Sequence, residues 1–183
     1  FPPGVLNVLF GRGASVGDRL TGHDKVRMVS LTGSIATGEH IIAHTAAGIK
    51  RTHMELGGKA PVLVFDDADL DAAVAGAVAS KYRNAGQTCV CTNRFLVQDG
   101  VYDAFAAKLK AAVAKLKVGN GLDEGVTIGP LINPDAVEKV REHIADAVEH
   151  GASVLLGGKP DALGGNFFTP TILTDVPRTA KIF

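Results

Sequence analysis

The feature that most constrains the fold is the alternation, along the whole chain, of short apolar runs with segments of helical periodicity. The apolar runs predict strands at residues 5–10, 26–31, 51–56, 61–65, 95–98, 153–156 and 167–176. Between most of these runs, apolar residues recur every three or four positions, in stripes that begin at Ile35, Leu70, Val101 and Val137. Strands that alternate with helices form mostly parallel sheets, so the sequence predicts an α/β fold.

The alternation is interrupted at Gly57-Gly58, which Pro61 follows closely. Glycine pairs and prolines are typical of the exposed segments between domains. We therefore predict two units, residues 1–57 and residues 58–183, the first of them partial. The chain starts at Phe1 without an initiator methionine or a targeting pattern and stops at Phe183 without a polar tail, so we expect both ends to be cut.

The charge composition bears on the class of partner. The 19 lysines and arginines equal the 19 aspartates and glutamates, so the chain lacks the basic field that nucleic acid or an anionic membrane usually requires. The longest uncharged stretch, residues 162–174, is interrupted by glycines and a proline and is too short to span a bilayer. We expect no nucleic-acid partner, no membrane helix and a cytoplasmic location.

Metal chemistry has little support in the sequence. Cys89 and Cys91 are two residues apart, which is not the C-x-x-C spacing of a zinc site. His40 and His44 lie four apart on one predicted helix and could share a metal ion, but no third ligand is near them in the sequence. We therefore predict no metal site and no structural disulfide framework.

A glycine-flanked turn follows the predicted strand at residues 26–31. Free N–H groups and the helix dipole at such a turn could cradle a pyrophosphate. Glu39-His40 stands where a nucleotide-triphosphate loop needs lysine and serine or threonine, so that type of loop is excluded. A helix that is merely capped by Ser34 and packed through glycines explains the same pattern. The candidate cofactor-binding residues are Gly33, Ser34, Ile35, Ala36, Thr37 and Gly38.

Two further side chains could carry chemistry. Cys89 lies in a small, uncharged segment six residues after Arg83, and a nearby cation lowers the pKa of a thiol toward the reactive thiolate. Glu55 ends an apolar strand, where burial would raise its pKa and make it a general base. The alternatives are a small buried cysteine and a surface glutamate at the end of a strand.

Three motifs in this order resemble those of the aldehyde dehydrogenase superfamily: Ser30-Leu31-Thr32-Gly33-Ser34, Glu55-Leu56-Gly57-Gly58-Lys59 and Asn84-Ala85-Gly86-Gln87-Thr88-Cys89. The resemblance covers the whole chain and implies the C-terminal part of a Rossmann-like cofactor domain followed by part of an α/β catalytic domain. It implies NAD or NADP as cofactor, a small aldehyde as substrate, and a parent protein that is a homodimer or homotetramer. It also implies that Cys89 is the nucleophile, that Glu55 is the general base, and that the backbone carbonyl of Leu56 faces the nicotinamide.

The two halves of the chain resemble different subfamilies. Residues 11–69 look most like aminobutyraldehyde dehydrogenases, whereas the chain from Ser80 onward looks like succinate-semialdehyde dehydrogenases. The latter also carry an arginine at the position of Arg83, which could grip a substrate carboxylate through two hydrogen bonds, unless it pairs with a nearby aspartate. Cys91 is a candidate redox partner of Cys89 if the segment between them is extended.

Two other functions remain open. In a cysteine hydrolase, Cys89 would pair with a histidine such as His53, and no dinucleotide would be used. A non-catalytic truncated chain would instead associate through apolar patches at its cut faces, and we expect this chain to be inactive when isolated.

Overall fold

A computed structural model describes residues 1–183, which divide into two compact units, Phe1–Gly58 and Lys59–Phe183. The first unit contains a short helix, a strand, a longer helix and a second strand: α1 Asp18–Gly22, β1 Met28–Gly33, α2 Ile35–Thr45 and β2 Arg51–Leu56. A single π-helical turn at Gly13–Gly17 precedes α1, and a 3₁₀ turn at Ala46–Gly48 follows α2. β2 coincides with the strand predicted at residues 51–56, which is confirmed.

β1 and β2 pair in parallel, and α2 makes the crossover between them. Gly33 at the end of β1 lies opposite Leu56 at the end of β2, and Thr32 lies opposite Glu55. Because the strands are parallel, both carboxyl ends meet at the same edge of the sheet. The glycine-flanked turn and the predicted general base are thus brought together.

The strand predicted at residues 5–10 is wrong. This segment forms no ladder, and Leu9 and Phe10 remain 66% and 93% exposed. An apolar run signals a demand for burial, but a strand also needs a neighbour that accepts and donates its backbone hydrogen bonds. The sheet of this unit consists of β1 and β2 only.

The second unit contains four strands and three helices: β3 Ala60–Val64, α3 Leu70–Lys81, β4 Thr92–Val97, α4 Asp99–Val113, α5 Pro134–Glu149, β5 Ser153–Leu156 and β6 Ile172–Thr174. β3 and β4 pair in parallel, as the α/β prediction requires. β5 and β6 pair antiparallel, so the expectation of parallel pairing fails for this third sheet. The last predicted strand, residues 167–176, is shortened to the three residues of β6.

The main core of the second unit lies between the β3–β4 pair and helices α3 and α4. Val64, Phe105 and Val113 are almost completely buried there, at 3%, 2% and 1% exposure. The ring centroids of Phe95 and Phe105 are 5.9 Å apart, and the rings are tilted relative to each other, a geometry that is favourable for an aromatic pair. This packing fixes α3, and the segment that carries Cys89 follows its C-terminal end.

The helix ends follow their sequence signals. The Asp69 carboxylate accepts hydrogen bonds from the amides of Asp71 and Ala72 at the start of α3. The Asn133 side chain accepts one from Ala136 at 2.9 Å, and Pro134 occupies the first position of α5. On α5, Ala147 is completely buried, whereas the neighbouring Val148 is exposed. No helix has the length and apolar character needed to cross a bilayer.

Candidate active site

The turn between β1 and α2 is the candidate cofactor site of the first unit. The Ser34 hydroxyl accepts a hydrogen bond from the Thr37 amide at 3.2 Å and contacts the Thr37 hydroxyl at 2.8 Å. Ser34 thereby caps the Thr37 amide. The amides of Ile35 and Ala36 lie in the first turn and have no carbonyl within the helix to accept their hydrogen bonds. Ile35 and Ala36 are exposed, so these amides lie where an anion could approach them.

Gly38 packs this helix against β2. A Cβ atom at Gly38 would come within 2.9 Å of Leu56 Cδ2 and 3.1 Å of Leu56 Cδ1. The absence of a side chain therefore lets Leu56 lie directly against the first turn of α2. Both sequence interpretations of Gly33–Gly38 remain compatible with this geometry, because a capped helix packed through glycine also offers free amides.

Glu55 is placed at the expected sheet edge but is not buried. Its side chain is 65% exposed, and Oε1 lies 3.6 Å from Nε2 of His53, two residues earlier on the same face of β2. The other ring nitrogen of His53 lies 3.4 Å from the Ser30 hydroxyl on β1. The expected burial of Glu55 is therefore wrong, since its carboxylate is in contact with solvent.

The segment before Cys89 has an unusual backbone. Asn84 and Ala85 have φ values of 51° and 53°, and Gly86 follows at 76°, so three consecutive residues adopt the left-handed region. Asparagine tolerates this conformation and glycine adopts it freely, but a residue with a Cβ pays about 1–2 kcal/mol. Non-glycine residues held in this region concentrate at functional sites.

The two cysteines differ in accessibility. Cys89 is exposed, whereas Cys91 is completely buried. The Cys91 Sγ contacts the Thr88 hydroxyl and lies 3.6 Å from the Lys81 carbonyl, and the Cys91 amide donates to the Thr88 carbonyl at 3.1 Å. The extended conformation assumed for residues 89–91 is therefore wrong, because residues 88–91 form a turn. A redox role for Cys91 stays a prediction.

Arg83 lies at the start of the same segment. Its side chain is exposed and forms no ion pair with any carboxylate of the chain. The alternative in which Arg83 is a structural partner of a nearby aspartate is thus wrong. The guanidinium remains available for a ligand, six residues before Cys89.

Two side chains that the sequence analysis overlooked support this segment. Lys81 donates to the Asn93 side-chain carbonyl at 2.8 Å, and burial lowers the pKa of its ammonium, a shift that nearby Cys91 partly offsets. Gln87 bonds through both ends of its carboxamide to backbone groups up to 45 residues away. Neither is detectable from spacing, because their partners are distant in the chain.

The histidine pair on α2 provides no metal site. His40 is bound to Asp18 of α1, with Nε2 2.9 Å from Oδ1, and its ring centroid is 5.7 Å from that of His44. No group of three or more histidine, cysteine, aspartate or glutamate side chains in the chain could hold a metal ion.

Comparison with known proteins identifies the family. The model of the aldehyde dehydrogenase family matches residues 1–183. A glutarate-semialdehyde dehydrogenase of Pseudomonas aeruginosa is 62% identical over 99% of this chain, and the NADP(+) succinate-semialdehyde dehydrogenase of Escherichia coli K12 is 61% identical over the same share. The chain spans 38% of the length of each of these relatives.

Solved structures agree. The crystal structure of a succinate-semialdehyde dehydrogenase from Burkholderia pseudomallei superposes with a TM-score of 0.93 at 57% identity, covering 95% of this chain and 36% of that one. The alignments with the semialdehyde dehydrogenases extend over both halves of the chain. The chain belongs to the aldehyde dehydrogenase family, as its three sequence motifs indicate.

Proposed function

We propose that this chain forms the nucleophile-bearing part of an NAD(P)-dependent aldehyde dehydrogenase that oxidises a short aldehyde with a terminal carboxylate, with succinate semialdehyde as the favoured substrate. One observation carries the proposal: an exposed thiol, Cys89, and an exposed arginine without an ion pair, Arg83, belong to the same strained segment. Phe1–Gly58 would contribute to dinucleotide binding and supply Glu55, and Lys59–Phe183 would carry the nucleophile.

The turn between β1 and α2 fits a dinucleotide. The amides of Ile35 and Ala36 and the Ser34 cap lie at the N-terminus of an eleven-residue helix, where backbone donors and the helix dipole favour a pyrophosphate. The Leu56 backbone ends the neighbouring strand directly opposite Gly33. The relatives' names include an NADP(+) enzyme, and a similar crystal structure of a betaine aldehyde dehydrogenase was solved with NAD+, so either dinucleotide is compatible with this role.

Cys89 would act as the nucleophile. Its thiolate attacks the aldehyde carbonyl carbon, and the carbonyl oxygen takes the electron pair of the broken π bond. That pair re-forms the carbonyl as the aldehyde hydrogen departs with its own bonding electrons, which leaves a thioester on Cys89. NAD or NADP, when bound, supplies the acceptor for this hydride.

Glu55 would act in the second half of the reaction. A water molecule that loses a proton to the Glu55 carboxylate attacks the thioester, and the Cys89 thiolate leaves as the carboxylic acid forms. A carboxylate exposed to solvent, as Glu55 is, has ready access to water.

Arg83 supports the proposed substrate class. A guanidinium without an ion pair can hold a carboxylate through two parallel hydrogen bonds, and it repels an ammonium, which disfavours aminobutyraldehyde. Several relatives are named for aldehydes that carry an anionic group at the far end: succinate semialdehyde, glutarate semialdehyde and 3-sulfolactaldehyde. Glutarate semialdehyde, the substrate named for the Pseudomonas aeruginosa relative, is the second candidate because the same arginine could hold it.

The test uses a chimera in which this chain replaces the matching segment of the Escherichia coli relative. Reduction of NAD(P) in the presence of succinate semialdehyde, glutarate semialdehyde and an uncharged aldehyde gives kcat/KM for each. We expect Arg83→Ala to lower kcat/KM for the two charged aldehydes at least tenfold, because a charge-assisted bond contributes about 1.5–3 kcal/mol, and to spare the uncharged one.

The matched control is Arg141→Ala, which removes an exposed arginine of α5 that is paired with Glu138 at 3.8 Å. It should leave all three kcat/KM values unchanged. Equal losses on charged and uncharged aldehydes in Arg83→Ala would refute the role of Arg83. Ester hydrolysis without any reduction of NAD(P) would favour the cysteine hydrolase instead.

A further inference from the structure

The carboxamide of Gln87 joins the segment before Cys89 to a distant loop. Nε2 donates to the carbonyl oxygens of Asn84 at 3.1 Å and Pro130 at 3.4 Å. Oε1 accepts a hydrogen bond from the Ile132 amide at 2.9 Å. Both ends of the carboxamide therefore bond to the loop at residues 130–132, and Nε2 also bonds to Asn84 within the segment itself.

The loop on the far side is firmly anchored. Leu131, between the two residues that Gln87 contacts, is 8% exposed and packs with Ile144 and Phe168 in a second hydrophobic cluster. Its amide also donates to the Asn166 carbonyl at 2.9 Å. Gln87 thus ties its own segment to a part of the structure that buried side chains hold in place.

The segment at residues 84–86 requires such an anchor. Asn84, Ala85 and Gly86 are all left-handed, and Ala85 adopts this conformation at a cost in energy. Local bonds close the turn, since the Gln87 amide donates to the Asn84 carbonyl at 3.1 Å and Asn84 Nδ2 donates to the Gln87 carbonyl at 3.2 Å. Bonds within a turn cannot fix its orientation relative to the rest of the protein, whereas the bonds to Pro130 and Ile132 do.

Cys89 lies between two fixed points. Gln87 is held two residues before it, and the buried Cys91 is held two residues after it by contacts with Lys81 and Thr88. The exposed Cys89 side chain has no hydrogen bond of its own in the structure. The backbone on either side therefore sets the point from which the Cys89 side chain projects.

We propose that Gln87 is a positioning residue for the Cys89 thiol. The inference rests on the proposed function, because it assigns Gln87 the task of holding the nucleophile where the aldehyde carbon is attacked. A displacement of about 1 Å of a reacting group can cost a hundredfold in rate, so the loss of this tie should lower kcat rather than substrate affinity.

The principal variant is Gln87→Met, which keeps the length of the side chain and removes all three bonds. The matched control is Gln98→Met. Gln98 also uses both ends of its carboxamide, donating to Asp66 Oδ2 at 3.1 Å and accepting from the Asp66 amide at 3.0 Å. It lies directly after β4, and these two bonds join it to Asp66 instead of the segment before Cys89. Both substitutions therefore replace a carboxamide that is bonded at both ends with a thioether of similar length.

Two measurements are needed. In the 183-residue chain, hydrogen exchange of the Cys91 amide, which is bonded within the turn at residues 88–91, reports whether the segment is held. In the chimera with the Escherichia coli relative, kcat and KM report whether the chemistry depends on it. For Gln87→Met we expect at least tenfold faster exchange and at least a tenfold lower kcat, with KM changed less than threefold. Gln98→Met should change none of these values.

Gln87→Glu provides a second variant should Gln87→Met fail to fold. Its carboxylate still accepts from the Ile132 amide but cannot donate to the two carbonyls, so we expect faster exchange and a lower kcat here too. A variant with faster exchange and an unchanged kcat would refute the positioning role, as would unchanged exchange. If the unmodified chimera reduces no NAD(P), the proposed function has failed, and the exchange rates still decide whether Gln87 holds the segment.

Discussion

Gly86 offers a sharp test of the strained segment, because its backbone conformation and its surroundings both oppose a side chain. Its φ is 76°, and a Cβ atom there would lie 3.2 Å from the Lys81 carbonyl oxygen and 3.3 Å from Lys81 Cε and Nζ. These contacts are tighter than ordinary van der Waals separations. The carbonyl belongs to the backbone at the end of α3 and cannot simply rotate away.

The expected cost of Gly86→Ala follows from three contributions. The left-handed conformation costs a residue with a Cβ about 1–2 kcal/mol. Crowding against the backbone adds about 1 kcal/mol, the lower end of the range for overpacked sites. Alanine also lowers the conformational entropy of the unfolded chain, which offsets about 0.4–1 kcal/mol of this cost. The substitution should therefore lower the free energy of unfolding by roughly 2 kcal/mol, a substantial share of the stability of a small domain.

Gly76→Ala is the matched control. Gly76 lies within α3, and a Cβ there would meet no atom within 4 Å. Alanine is favoured over glycine inside a helix by about 0.8–1 kcal/mol, so this change should stabilise the protein. The same replacement is thus predicted to have opposite signs at two positions ten residues apart.

Urea unfolding followed by tyrosine fluorescence measures both effects. The chain has no tryptophan, and its two tyrosines, Tyr82 and Tyr102, both belong to the second unit, so the signal reports that unit alone. The midpoint should fall for Gly86→Ala and rise for Gly76→Ala. A midpoint that is unchanged or raised in Gly86→Ala would show that the left-handed turn is not part of the folded state in solution.

Two further predictions concern titration and oxidation. Burial raises the pKa of Tyr82 to about 12 from 10.0, so the tyrosine of the unfolded state loses its proton first. The free energy of unfolding should therefore fall by about 2–3 kcal/mol between pH 10 and pH 12. Urea titrations at each pH should show no such loss in Tyr82→Phe, and identical profiles for the two proteins would contradict the burial of Tyr82. Peroxide should oxidise Cys89 and Cys91 to a disulfide once the turn at residues 88–91 opens. Mass spectrometry should show the loss of two hydrogens, which a dithiol reverses and which Cys91→Ala abolishes. Two free thiols that persist at the same peroxide exposure would refute this.

Local signals in the sequence predict most helices and the edges that carry the site. Asn133-Pro134 and Asp69 mark the starts of α5 and α3 because their caps bond to amides only two or three residues away. The alternation of strand and helix likewise predicts the parallel pairing of β1 with β2, and with it the placement of Glu55 beside the end of β1.

Features that depend on distant partners are not predictable in this way. Ala85 has no sequence preference for the left-handed region, and the ties that hold it come from residues 130–132. The direction of β6 relative to β5 depends on the long connection between them, and the run at residues 5–10 has no strand beside it. The exposure of Glu55 depends on which surfaces cover the end of β2, which an apolar run alone does not reveal.

Direct detection of the acyl-enzyme tests the central claim, that Cys89 is the nucleophile of aldehyde oxidation. The chimera is mixed with succinate semialdehyde and the oxidised dinucleotide, quenched in acid within one turnover, and its peptides are analysed by mass spectrometry. The account predicts a succinyl group on Cys89, formed in step with reduced dinucleotide and lost in Cys89→Ala, with Cys91 unmodified. Dinucleotide reduction without any acyl group on Cys89, or the same yield of reduction in Cys89→Ala, would contradict it.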